Sequence, residues 1–102
     1  MILGRVKGNV VSTTKSEKLD GYKLLIVAPI NIDTFKEQGA PVVSVDTVGA
    51  GEGEVVMVVG GSSSRQTAAT QDRPVDSTIV AIIDSVNLDG RRIYDKFPQE
   101  NG

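Results

Sequence analysis

The chain has 102 residues, 13 of them acidic and 11 basic, with two tyrosines, two phenylalanines, no tryptophan and neither cysteine nor histidine. This length fits one domain with one modest core, and the missing residue types exclude disulfides, thiolate metal sites and the usual general base near neutral pH. A net charge of −2 and so few rings argue against a nucleic-acid-binding face; no apolar run is long enough to cross a membrane, Met1–Arg5 lacks the layout of a signal peptide, and the composition suits a reducing cytosol.

From Ile2 to Val10 the chain alternates, with Ile2, Gly4, Val6, Gly8 and Val10 on one face and Arg5, Lys7 and Asn9 on the other. This pattern predicts a half-buried strand, and the two glycines on its apolar face permit the sharp coiling of a small barrel. Ser12–Gly21 is polar and reads as an exposed hairpin loop. Tyr22–Ala28 predicts a second strand, apolar on both faces after Lys23, with Pro29 ending it by withdrawing a donor. Leu25 and Val27, opposite Tyr22, Leu24 and Ile26, have no evident cover within the chain and are expected at a subunit interface. Asn31–Pro41 reads as a longer connection holding one helical turn over Asp33–Lys36.

Val42–Asp46 predicts a strand, with Val43 and Val45 facing one way and Ser44 and Asp46 the other. It leads into Gly49-Ala50-Gly51-Glu52-Gly53-Glu54, and Val55–Val59 resumes as a strand. The alternating glycines suggest a phosphate cradle, but a dinucleotide fingerprint needs glycine at position 54 and a helix behind it. Here Glu54 and a valine-rich strand follow, and Glu52 and Glu54 would repel an anion. The loop therefore reads as structural, allowing close backbone approach.

Gly60–Ser64 precedes a short helix from Arg65 to Ala69, where a serine serves as cap rather than nucleophile, no base being available. Pro74 takes Arg73 out of helical geometry. Thr78–Ser85 predicts the last major strand, apolar on both faces from Ile79 to Ile83; Leu88–Arg91 reads as a turn, Arg92–Tyr94 as a short strand and Lys96–Gly102 as a frayed tail. The expected fold is mainly β: a five-stranded barrel of oligonucleotide-binding topology with one short helix, covering residues 1–86 of a single domain spanning 1–102. Two strands apolar on both faces require a neighbour.

Three stretches carry a specific resemblance: Met1-x-Leu3-Gly4-x-Val6-x-Gly8-x-Val10-Val11, Asp46-Thr47-Val48-Gly49-Ala50-Gly51-x-Gly53-Glu54-x-Val56 with Gly61-Ser62-Ser63 and Arg65, and Pro74-Val75-Asp76-x-x-Ile79-Val80-x-Ile82-Ile83-Asp84. In this order and spacing the chain resembles the pentameric vertex proteins of bacterial microcompartments, the EutN/CcmL family. One departure is Ser64, where the family carries an alanine-like residue before the arginine; a small residue is tolerated there. The resemblance implies a non-catalytic shell protein without cofactor or metal. It would form a homopentamer that caps five-fold vertices beside hexameric shell proteins, in the cytoplasm of a bacterium. Asp46, Gly49, Ala50, Gly51, Gly53 and Glu54 are candidates for a subunit contact, where a side chain in the glycine loop would block close backbone approach, and Arg65, after the Ser62-Ser63-Ser64 cap on a short exposed helix, is the candidate for the shell rim or for a contact within its own subunit. Two other readings are carried alongside: an oligonucleotide-binding-like module, on topology alone, and a small ligand-binding protein using the glycine loop.

Overall fold

The computed structural model describes residues 1–15, 17–61 and 76–98. Eight strands occur among them: β1 (Ile2–Val10), β2 (Lys23–Asn31), β3 (Lys36–Glu37), β4 (Val42–Asp46), β5 (Val55–Gly60), β6 (Ser77–Ile82), β7 (Ser85–Leu88) and β8 (Arg91–Asp95), with one 3₁₀ turn at Glu17–Leu19. Five strands in the order β1-β5-β6-β4-β2 close into a barrel through the β1–β2 pairing. Every neighbouring pair in it is antiparallel except β4–β6, which is parallel. A parallel pair needs a long crossover connection, and the chain between β4 and β6, running through the glycine loop and β5, supplies it. The expected barrel is observed; the expected helix from Arg65 lies outside the described residues.

The core collects inward residues of four of the five barrel strands, Val6, Leu25, Val27, Val56, Val58 and Ile79, with Ala50 entering from the glycine loop. These short β-branched side chains suit a narrow barrel, where each buried aliphatic contributes about 1.5–3 kcal/mol. Gly4 shows how tight the wall is. A Cβ built there would lie 2.4 Å from Val27 Cγ1 and 3.0 Å from the Ala28 carbonyl oxygen, so β1 can coil against β2 only without a side chain. Past Val6 the β1–β2 register shifts. The bulge turns Gly8 and Val10 outward, whereas strict alternation would have kept them with Val6.

Three expectations are corrected. Pro29 does not end the second strand, which continues to Asn31. The β4 ladder on β2 stops at Val27↔Val42 and that of β3 begins at Ile30↔Glu37, so the missing donor falls between them. The Pro29 carbonyl still accepts from the Gln38 amide at 2.9 Å. Asp33–Lys36 does not form a helix: the Phe35 amide donates to the Asn31 carbonyl at 2.7 Å, closing one α-turn that stops at the tip of the β2–β3 hairpin, and Lys36 already belongs to β3. The Asn31 side-chain oxygen accepts from the amides of Asp33 (2.8 Å) and Thr34 (3.2 Å), and Phe35 takes a positive φ of 54°; such local side-chain bonds compete with helix. The last barrel strand stops at Ile82, and Ser85–Leu88 with Arg91–Asp95 forms a separate hairpin. Asp89 and Gly90, both at positive φ, make its two-residue turn.

Candidate assembly surfaces

The glycine loop is held from within. Asp46, 7% exposed, accepts from the Val48 amide at 3.0 Å through one oxygen and from the Ala50 amide at 2.9 Å through the other. Glu54 accepts from the Gly51 amide at 2.6 Å and forms an ion pair with Lys96. The Gly53 amide donates to the Val6 carbonyl (2.8 Å), and the Val6 amide donates to the Glu54 carbonyl (2.9 Å). Arg5 reaches the Gly53 carbonyl at 2.8 Å. The amides of Val48, Ala50, Gly51 and Gly53 are thus bonded within the chain, where a phosphate cradle would turn them to a ligand. The hydrogen bond from Lys96, then that from Gly51, holds the Glu54 carboxyl below its ordinary value against the opposing effect of burial. The hydrogen bond to Glu54 likewise raises the Lys96 ammonium.

Lys96 follows β8, so this ion pair ties the terminal hairpin to the glycine loop. A second tie lies on the outer wall, where the Arg5 guanidinium sits 5.9 Å over the Tyr94 ring. Tyr94 stacks on Phe35 at 5.3 Å, while Glu37 lies 3.9 Å from Arg5 and 3.0 Å from Lys7. Hairpin, β3 and barrel wall therefore meet over the middle of β1.

Of the expected interface residues, Leu25 and Val27 are misplaced. They are 3% and 0% exposed inside their own barrel, Val27 paired with Val6 and Leu25 with Ser44. The outward residues of β2 are Leu24 and Ile26, the set that had been assigned inward. Lys23 shares the inward parity of Leu25 and Val27 but stands at the barrel rim, where its amine reaches the Ala50 carbonyl at 3.4 Å. A charge at the first position of a strand marks the rim and not the face. Asp46 and Ala50 also point into the subunit. Gly49 and Gly53 are exposed, Gly51 and Glu54 half-buried, and Arg65 lies outside the described residues.

In place of Leu25 and Val27 the structure presents an apolar row running outward across three strands. Val10 pairs with Leu24, Gly8 with Ile26 and Ile26 with Val43. Val43 is 50% and Val10 37% exposed, and Gly8 leaves Ile26 without a side chain over it from β1. Sequence parity alone could not find this row, because it depends on the β1 bulge.

The sequence and the fold are both matched among known proteins. The model of the family "Ethanolamine utilisation protein EutN/carboxysome" matches residues 1–84. The chain belongs to the EutN/CcmL family. It is 48% identical over 86 residues to the bacterial microcompartment shell vertex protein GrpN of Rhodospirillum rubrum, covering 84% of this chain and 96% of GrpN. The solved structure of Gloeobacter violaceus CcmL superposes with a TM-score of 0.88 at 40% identity, over 94% of this chain and 98% of that one. The structure described as the GrpN pentameric microcompartment shell protein superposes with a TM-score of 0.78 at 46% identity, over 86% and 99% of the two chains. The family model ends at Asp84, so the β7–β8 hairpin lies beyond it.

Proposed function

We propose that this protein is a non-catalytic building block of a bacterial microcompartment shell, assembling as a homopentamer that caps five-fold vertices within the bacterial cytoplasm. The observation that carries this reading is the barrel itself, closed in the same way as solved vertex proteins across nearly its whole length and bearing an apolar row on its outer wall. A row of this kind suits burial by another subunit better than exposure, and a ring buries the same surfaces on every copy. The pegged loop supports a structural over a catalytic role, since Asp46 and Glu54 spend their oxygens on backbone amides and on Lys96. Hexameric shell proteins are the partners such a vertex would meet, along contacts of moderate area and partly polar character, because each tile must stay soluble before assembly. Gly49, Gly51, Gly53 and Glu54 remain candidates for subunit contacts on the exposed side of the loop, and Arg65 for the rim. The test has two steps. Light scattering at low micromolar concentration should give a native mass five times the 10.8 kDa chain. Cells lacking the protein and any other pentamer should form shells that are elongated or open at corners; closed shells of normal shape would refute the vertex role.

A further inference from the structure

The two halves of the glycine loop are held by different parts of the chain. In the first half, the buried Asp46 carboxylate accepts from the Val48 and Ala50 amides, so acceptor and donors belong to the end of β4 and the turn directly after it. The second half, Gly51–Glu54, is closed by the Glu54 amide donating to the Gly51 carbonyl at 3.2 Å. Side chains then grip it at two points. The Gly51 amide donates to Glu54 Oε1 at 2.6 Å, while Lys96 donates to the other carboxylate oxygen. The Gly53 carbonyl accepts from Arg5 at 2.8 Å, and the same guanidinium lies against the Tyr94 ring, 5.9 Å from its centroid.

Tyr94 stands in β8 and Lys96 directly follows that strand. The base of the hairpin is anchored beside the loop. The Ile83 amide donates to the Val55 carbonyl and the Lys96 amide to the Asp84 carbonyl, both at 2.8 Å, so the two ends of the hairpin meet next to the residue that follows Glu54. Phe35, stacked on Tyr94 at 5.3 Å, backs the ring from the tip of the β2–β3 hairpin. The glycine loop lies within the family match, and the hairpin that reaches it lies beyond residue 84.

We propose that the β7–β8 hairpin is a clasp on the second half of the glycine loop, with Tyr94 and Lys96 as positioning residues that act through Arg5 and Glu54. Lys96 steadies the carboxylate that holds the Gly51 amide, and Tyr94 restrains the guanidinium that holds the Gly53 carbonyl. A side chain already ordered by a neighbour gives up less freedom when it bonds the loop. The clasp goes beyond the shell role and does not depend on it. Its effect is confined to one half: drawing the hairpin off the wall loosens Gly51–Glu54 and leaves the Val48 and Ala50 amides on Asp46.

Residue-resolved amide hydrogen exchange on the full-length protein tests this, with all variants at one protein concentration. Lys96→Met combined with Tyr94→Leu should raise exchange at Gly51 about tenfold, since two partly exposed ties are lost. Exchange at Val48 and Ala50 should stay within about twofold of the parent. Lys96→Met alone should give a smaller rise at Gly51, and Lys96→Arg, which keeps the cation, should stay close to the parent. In a Glu54→Gln background Lys96→Met should add nothing, because its route to Gly51 is gone. Equal rises at Gly51, Val48 and Ala50 would mean that the hairpin only adds global stability and would overturn the clasp. Unchanged exchange at Gly51, or a full effect of Lys96→Met in the Glu54→Gln background, would overturn it as well. Should the Tyr94 variant fail to fold, the Lys96 variants carry the same test.

Discussion

Gly4→Ala tests the barrel at its tightest point. The new methyl group would sit 2.4 Å from Val27 Cγ1 and 3.0 Å from the Ala28 carbonyl, well inside van der Waals contact. Neither neighbour can yield cheaply: Val27 is β-branched and fully buried, and Ala28 contributes backbone from the middle of β2. Relief requires β1 and β2 to separate near Val6, where the core begins. Overpacking of this kind costs about 1–3 kcal/mol, and with two rigid obstacles the upper half of that range applies, about 2–3 kcal/mol. For a domain near 100 residues this lowers the melting temperature by about 10–20 °C. Gly8→Ala in the same strand is the control: its nearest non-adjacent atom is Ile26 Cδ1 at 4.0 Å. Alanine there should be neutral or stabilising by up to about 1 kcal/mol, through a less flexible unfolded chain. Both variants should be compared with the parent by urea unfolding and thermal melting at one protein concentration, since an oligomer's apparent stability depends on it. A Gly4→Ala protein within about 0.5 kcal/mol of the parent would show that the coiling of β1 does not require glycine at this position.

Lys96→Met removes the ion pair to Glu54 and should lower the melting temperature modestly, as for other partly exposed pairs. Glu54 titrates below its ordinary 4.5 in the fold, so the gap between parent and variant should be full above that pH and close as pH falls through the lowered folded value. Lys96 titrates above its ordinary 10.5, so at the alkaline end the gap should be full below 10.5 and close as pH rises through the raised value; a gap unchanged down to about pH 2 would exclude this pair as its source. Asp46→Ala orphans the Val48 and Ala50 amides and should cost about 2–4 kcal/mol, with Asp46→Asn costing less because one acceptor remains; equal urea midpoints for the two would contradict the pegging role. A Cβ at Gly51 meets, among the described residues, only Glu54 Oε1, at 3.5 Å, so Gly51→Val should reduce native mass far more than melting temperature if the loop lies at a subunit contact. A variant that melts much lower yet stays pentameric until it melts would place the loop's role inside the barrel.

Much of the architecture is local enough to read along the chain. The alternation of Ile2–Val10, the valine-rich runs on either side of the glycines and the charged Ser12–Gly21 loop each follow from periodicity and turn chemistry, which need no knowledge of neighbours. The family signature is legible for the same reason, since its glycines and the acids Asp46 and Glu54 stand at fixed spacings around one turn. Which face of β2 lies inside was not legible. A run from Leu24 to Ala28 that is apolar at every position has no polar residue to mark the solvent side, and Lys23 at the rim shares the parity of the buried residues. Only the pairing of Val27 with Val6, and of Leu25 with Ser44, put those residues inside. The bulge after Val6 likewise turns Gly8 and Val10 outward through a contact between distant strands, so no window of sequence contains it. The continuation of β2 through Pro29 depends on where the β3 and β4 ladders end, and the separation of β7–β8 from β6 depends on where the barrel closes. Composition and spacing determined that this chain makes a small coiled barrel with surplus apolar surface. Tertiary structure decided which residues bear that surface, because strand register links residues far apart in sequence and a single bulge reverses the face of everything beyond it.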